Sequence, residues 1–328
     1  MSKKIDLEDI SLSLYSIPYS VGFIKNVDGL EEEEKLSIVD VALMAKKLGL
    51  GGIEFPIDIC FPDLEEKQLD IFFEKMRILG IKCTIDFENF SCRNTKKILP
   101  ILNKWSIKFI RVKISSFYGG NRHLNPKYYK DLVTFEDNLK VCIDDLNRYS
   151  IKILIENHQD VVVEDLLEII KKYGKEIVGV NWDIGNSLPS CETPETFLKK
   201  TGEFIENIHL KDYKLYKHND GYSLNRCALG DGFVDFDNIF KQLKSSKSLS
   251  MTIELGAHFP RVANINNSNY WEHSKISDKE KEGFLKYINK NISDECKVNS
   301  ENKNYIITTD KVLLEVEKSV NYLKRLLN

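Results

Sequence analysis

The sequence predicts a closed (β/α)8 barrel of the α/β class, and three observations carry that prediction. Eight short apolar runs rich in β-branched residues recur along the 328 residues, with stretches of helical periodicity between them. Strands alternating with helices imply parallel strands joined by crossovers, and eight such units in a chain of this length suit a barrel. The doubly wound alternative places a glycine-rich fingerprint after its first strand, where this chain reads PYSVGFIKNVDG.

The expected strands are residues 10–17, 52–55, 81–87, 109–114, 151–155, 177–183, 205–210 and 250–255. Helical patterns fall at 34–48, 64–79, 126–149 and 163–173, and the acidic run at 31–34 is a solvated helix start. The GDG at 230–232 is a turn ahead of a helix at 236–243 rather than a phosphate loop. After the eighth strand the rhythm breaks. Residues 257–308, rich in Asn, Lys and Ser, form a long insertion on the face where barrels build their sites, with partial helix expected at 268–271 and 284–288. A last helix then buries Val312, Val316, Val320, Leu323 and Leu327 along one face, with Thr309 available as its cap. No domain boundary interrupts residues 1–328.

Composition narrows the function. With 47 basic and 50 acidic side chains the formal charge is −3, which gives no positive field for nucleic acid. Cysteines at 60, 83, 92, 142, 191, 227 and 296 are odd in number and form no CxxC pair, as expected of reduced thiols in a cytoplasmic protein. The opening MSKKIDLEDI has no apolar segment behind it, and no long uncharged apolar run follows, so neither export nor membrane insertion is expected.

Barrels place their chemistry at the carboxyl ends of the strands, and strands five to eight end in ILIENH, NWDIGN, NIHLKD and TIELG. Glu156, Asp183, His209 and Glu254 therefore converge on one mouth. Singly, each is explained by solvation or capping; four on consecutive strands are not. Three carboxylates crowded together repel one another unless a cation joins them. With one imidazole they make a hard donor set for a single divalent metal, Mn2+ first, with Mg2+ or Co2+ as alternatives.

Residues two apart on a strand share a face, so His158 accompanies Glu156 and Lys211 accompanies His209. Two roles are open to His158: general acid or base, or a partner that orients Glu156. Lys211 either holds a substrate oxygen or balances the carboxylates. Asp212 faces the other way and is structural. Glu54, in GGIEFP on strand two, is placed to contact a sugar hydroxyl or a metal-ligating residue. Arg111 and Lys113 on strand four are partners of the acidic site or substrate contacts.

The segments GGIEFP, IENH, WDIGN, HLKDY, LGDGFVDF and TIELG together resemble the xylose isomerase-like TIM barrels, which include sugar isomerases, ketose epimerases and the barrel endonucleases of DNA repair. The resemblance implies one divalent metal held by Glu156, Asp183, His209 and Glu254, a small-molecule sugar substrate, and substrate contacts from Glu54, Lys113 and Asn186. It also shows two departures. Ketose epimerases of this family carry a His where this chain has Asn186 and an Arg where it has Leu215. His158 is an addition, and an ExH pair on strand five is similar to barrel subunits of C-glycoside deglycosidases and to keto-sugar decarboxylases.

The expected activity is proton transfer beside the carbonyl of a keto or aldo sugar through an enediolate, of the isomerase or epimerase type, with Glu156, His158, Lys211 and Glu254 as the catalytic set. A lyase that cleaves a C–C or C–O bond beside a keto group is the alternative, and a non-catalytic barrel subunit is a further one. An endonuclease needs a histidine-rich multi-metal site, and only six histidines are present. The insertion at 257–308 offers a surface for a second copy or a second subunit.

Overall fold

The computed structural model describes residues 5–24, 35–243, 249–256, 258–293 and 309–327. Eight parallel strands close into a barrel: β1 (Ile10–Ser13), β2 (Gly52–Pro56), β3 (Lys82–Phe87), β4 (Phe109–Val112), β5 (Lys152–Glu156), β6 (Val178–Asp183), β7 (Ile205–Leu210) and, tenth in chain order, β10 (Ser250–Ile253). Strand β10 pairs with both β7 and β1, which closes the ring. This is the (β/α)8 architecture expected.

Local chemistry fixes where the elements begin and end. The run 10–17 yields a strand of four residues because Ser13 accepts a hydrogen bond from the Tyr15 amide (3.2 Å) and starts a 3-10 turn, Leu14–Ser16. The helix expected at 34–48 is Ile38–Leu48. Ser37 and Asp40 cap it reciprocally, Ser37 Oγ accepting from the Asp40 amide (3.2 Å) and the Asp40 carboxylate from the Ser37 amide (2.9 Å). Gly49 ends it at φ 87°, the left-handed conformation a C-terminal stop uses. The acidic run at 31–34 lies outside the described residues. Helices Glu66–Leu79, Tyr128–Tyr149 and Val163–Tyr173 follow the expected ones to within two residues, and Cys92–Lys104, Pro194–Thr201 and Phe236–Leu243 complete the outer layer.

Strand β6 shows how the barrel sorts its side chains. Trp182, fully buried, stacks on Phe197 of the helix Pro194–Thr201 at 5.7 Å between centroids and donates its indole N–H to Ser187 Oγ (3.0 Å). Its neighbours Asn181 and Asp183 take the opposite face, as period two requires. Asn181 meets Asn207 of β7 there, and Thr252 of β10 donates to Glu54 Oε2 (2.9 Å), a buried polar layer across the barrel interior.

Two features differ from the sequence expectation. The chain leaves the barrel after β7 as well as after β10: β8 (Tyr213–His218) and β9 (Gly221–Arg226) form an antiparallel hairpin. Its turn holds Gly221 at φ 147°, where a Cβ would stand 2.4 Å from the Ala263 carbonyl oxygen. The insertion at 257–308 also contributes strands. β11 (Arg261–Ala263) pairs with β9 and β12 (Ile292–Ser293) with β8, giving a second sheet of order β11-β9-β8-β12. Its helical content is a 3-10 turn, Ser268–Trp271, and a helix, Asp278–Asn291, that buries Phe284 and Ile288. Residues 294–308, with Cys296, lie outside the described residues.

The last helix, Thr309–Leu327, buries Val312, Val316, Val320 and Leu323, with Leu327 packed against the same core; the side chain of Thr309 lies outside the described residues. The six described cysteines are free. No described helix is long and apolar enough to cross a membrane.

Candidate metal centre and substrate pocket

Glu156 ends β5, Asp183 ends β6, His209 stands one residue before the end of β7, and Glu254 directly follows β10. The barrel register brings His209 opposite both Asp183 and Thr252. Asn157 ties two of these ends together, accepting from the Asp183 amide (2.7 Å) and donating to the Asp183 carbonyl (2.9 Å). One ligand atom from each of Glu156, Asp183, His209 and Glu254 lies within 4.8 Å of all the others, and all four side chains are buried.

Three cationic groups share this acidic cluster. The Arg111 guanidinium pairs with Glu156 Oε2. Lys211 Nζ bridges Asp183 Oδ2 (2.5 Å) and Glu254 Oε1 (2.7 Å). His209 Nε2 stands 2.8 Å from Glu54 Oε1, while its Nδ1 stands 2.8 Å from Glu254 Oε2. Burial acts against charge on His209, but the carboxylates of Glu54, Glu254 and Glu156 outweigh it and hold the imidazole well above its ordinary range. For Glu254 burial acts upward, and Lys211 with His209 overrides it, so this carboxyl sits well below the usual range. Asp183 is pushed up to about 7, by burial first and then by Glu156 and Glu254 against the pull of Lys211.

The residues fit a divalent cation. Glu156 Oε1 is buried without a hydrogen-bond partner, and His209 Nδ1 and Glu254 Oε2 have only each other, whereas the other oxygen of each carboxylate is engaged by Arg111 or Lys211. Buried polar atoms are rarely left unsatisfied, and three of them beside an aspartate are the donors a hard divalent ion uses.

A cavity of about 320 Å3 opens onto this cluster, with Arg111, Lys211 and Glu254 in its lining. His158 lines it, its ring tilted at 57° to that of Tyr118 with 5.6 Å between centroids, and its Nδ1 is buried without a partner. Burial, then Lys113, Arg111 and Lys211, hold His158 well below the ordinary histidine range. Lys113 also lines the cavity, with its ammonium 2.5 Å from Glu88 Oε1.

Of two residues expected to touch substrate, Asn186 lines the cavity and Glu54 does not. Glu54 is fully buried against His209 and Thr252 and contacts a candidate metal ligand rather than the cavity, because strand two presents it a layer below the mouth. Asn186 reaches the cavity, and its amide donates to Asp183 Oδ2 (2.8 Å) while its oxygen accepts from Gln159 (2.8 Å) and from the Tyr213 hydroxyl (3.2 Å), so it also braces Asp183. Leu215 is buried on β8 between Leu224 and Ile292. Asp212 accepts from the amides of Gly230 (3.0 Å), Gly232 (3.0 Å) and Val234 (3.1 Å), which occupies the donors of the GDG turn.

Sequence reasoning missed several groups of the site. Asp86, next to last on β3, lies beneath the cavity rather than in its lining, 3.8 Å from Arg111, and follows the same strand-end rule that found the candidate ligands. Gln159 and Tyr213 carry no such signal. His258 and Arg261 sit inside the insertion, where low apolar content hid an ordered stretch.

A family model, the xylose isomerase-like TIM barrel, matches residues 43–271. The chain belongs to this family. Among its xylose isomerase-like relatives is a protein named 3-oxo-isoapionate decarboxylase from Pectobacterium atrosepticum, 20% identical over 194 residues that span 58% of this chain and 67% of that one. Aligned regions span 48 to 67% of the length of the relatives matched in sequence. Among solved xylose isomerase-like structures, 3-keto-D-glucoside 4-epimerase from E. coli superposes with a TM-score of 0.54 at 14% identity, covering 86% of this chain and 99% of that one. A family protein from Mycobacterium smegmatis, solved in complex with magnesium, gives 0.55 at 13% identity, with 86% and 96% covered.

Proposed function

We propose that this chain is a divalent-metal-dependent enzyme that transfers a proton beside the carbonyl of a keto or aldo sugar, an isomerase or epimerase in type. The convergence of one ligand atom from each of Glu156, Asp183, His209 and Glu254 within 4.8 Å carries the reading. A bound Mn2+, Mg2+ or Co2+ supplies Lewis acidity that polarises a carbonyl and lowers the barrier to removing the adjacent proton. The chain's own groups do the rest. Glu254 lines the cavity and with Glu156 serves as a proton carrier, Lys211 Nζ meets charge that develops on a substrate oxygen, and the His158 imidazole, free at Nδ1, takes up or returns a proton.

The lyase alternative rests on a separate observation. Asn186 and Leu215 stand where the family's ketose epimerases carry the His and Arg that hold their substrate, so those two groups are missing, whereas His158 faces the cavity. The relative named as a decarboxylase supports bond cleavage in the same way.

Metal content per chain, measured on protein purified without chelator, tests the centre: about one Mn, Mg or Co is expected, lost in Asp183→Asn. Two or three zinc ions, or none after reconstitution, overturns it. Glu254→Gln is expected to abolish turnover with its circular dichroism unchanged, and a fully active variant sinks the assignment. Screening keto sugars by NMR in deuterated water separates the two chemistries. Solvent deuterium entering carbon without loss of mass marks isomerisation, and loss of a carbon or oxygen fragment marks the lyase. A cytoplasmic location and assembly through 257–308 belong to the same proposal.

A further inference from the structure

Buried arginines in this protein pair with a carboxylate or with backbone carbonyls, with one exception, whose acceptor is the Tyr118 side chain alone. Arg111 pairs with Glu156, Arg226 with Glu315 and two carbonyls, and Arg122 donates to the carbonyls of Gly120 and Pro189. Arg261 is 7% exposed, its Nε has no hydrogen-bond partner, and no carboxylate of the described residues lies within ion-pair distance of it. Its guanidinium carbon stands 3.3 Å from the Tyr118 ring centroid and 3.9 Å from that of Phe259. With its faces covered by rings, only its N–H edge is left to meet the cavity that it lines. Holding a desolvated charge without a counter-ion is costly, and a site that does so is built for an anion that arrives from outside.

The surroundings agree. The two carboxylates in the cavity lining are already engaged, Glu88 by Lys113 and Tyr15 and Glu254 by Lys211, so neither is available to Arg261. His258 lines the same cavity, 8% exposed and with a partnerless Nδ1. Burial, then Arg226, Arg261 and Lys211, push its imidazole down to about 3, which keeps it neutral and able to donate one N–H.

We propose that Arg261 and His258 form an anion-recognition subsite, and that the substrate is a keto sugar bearing a carboxylate, held with its carboxylate on Arg261 and its reacting carbonyl at the ligand cluster. This rests on the function proposed above and names the substrate class for it. A guanidinium edge offers two parallel N–H donors that match the two oxygens of one carboxylate. The cavity of about 320 Å3 also limits the ligand to a single sugar.

Calorimetric titration of the manganese-loaded protein with three six-carbon probes tests the subsite. The probes are 2-keto-D-gluconate, D-fructose and fructose 6-phosphate. The keto acid is expected to bind roughly tenfold or more tightly than fructose, the scale of one charge-assisted hydrogen-bond pair. Arg261→Met should erase that preference, and Arg261→Lys, which keeps the charge but not the fork, should keep part of it. Equal binding of the acid and fructose, no binding of the acid, or a preference that survives in Arg261→Met overturns the proposal. Preference for the phosphate ester that depends on Arg261 overturns the carboxylate assignment. Manganese titrated into the same samples reads the ligand cluster separately. A protein that binds no metal but keeps an Arg261-dependent preference for the acid sinks the metal-enzyme reading and leaves the subsite standing.

Discussion

Glu54 touches the candidate metal centre only at His209. With Nε2 2.8 Å from the Glu54 carboxylate, the imidazole is oriented so that Nδ1 faces Glu254 (2.8 Å) and Glu156 (3.6 Å). Glu54→Gln preserves the shape and removes the charge, and metal affinity is expected to fall by about 10- to 100-fold in a manganese titration. His158→Ala separates chemistry from support. If the imidazole moves a proton, turnover falls by about 10²- to 10⁴-fold while metal content stays at the wild-type level; if it only orients Glu156, metal affinity falls with it. The four candidate ligands were legible because each is a strong polar residue at the carboxyl end of an apolar strand. Arg111 was placed near the acidic site by strand parity alone. Asp86 offered the same strand-end signal on β3 and was not read. Glu54 shows the limit of parity, which gives the face of a strand but not the depth of a residue within the barrel.

Among the elements, β6 and the helix Pro194–Thr201 form a unit in which packing on one strand face sets the site on the other. Trp182 is held by the Phe197 ring at 5.7 Å and by Ser187, and Asp183 follows it immediately. Phe197→Ala is expected to destabilise the fold by about 3–5 kcal/mol, read from denaturant unfolding. The helix Asp278–Asn291 has a smaller dependence on one residue. Ser277 Oγ accepts from the Glu280 amide (3.3 Å), the Glu280 carboxylate accepts from the Ser277 amide (2.8 Å), and Ser277→Ala should cost about 1 kcal/mol. Periodicity located the long helices to within two residues at 64–79, 126–149 and 163–173, because an amphipathic stripe of that length has no strand equivalent. The β8–β9 hairpin was missed even though residues 213–217 read YKLYK ahead of an NDG turn. Alternation over so few residues looks the same in a strand and in a loop until its partner strand is known.

At the scale of the molecule, one lysine joins three outer elements. Lys200 contacts Glu164 (2.9 Å), Glu192 (2.5 Å) and Glu280 (3.0 Å), so the insertion helix is linked electrostatically to two parts of the barrel's outer layer. Glu280 is lowered from 4.5 to about 2, first by the Ser277 hydroxyl and amide and then by Lys200. A carboxyl lowered in the folded state adds stability above its unfolded value, and that contribution is lost as pH falls through about 2. Glu280→Gln should therefore flatten the decline of Tm between pH 5 and pH 2, as followed by circular dichroism, and a curve parallel to wild type would show that the carboxylate contributes nothing. The pairing of β11 with β9 has a different kind of consequence. It joins a stretch that follows the last barrel strand to one that precedes it, and Arg261, Leu224 and the Gly221 turn share that seam. The two excursions from the barrel are therefore one exchangeable module in two pieces. Grafting 257–308 alone onto a sister barrel would leave β11 without its partner, whereas moving 213–226 along with it carries the seam and the mouth chemistry across together.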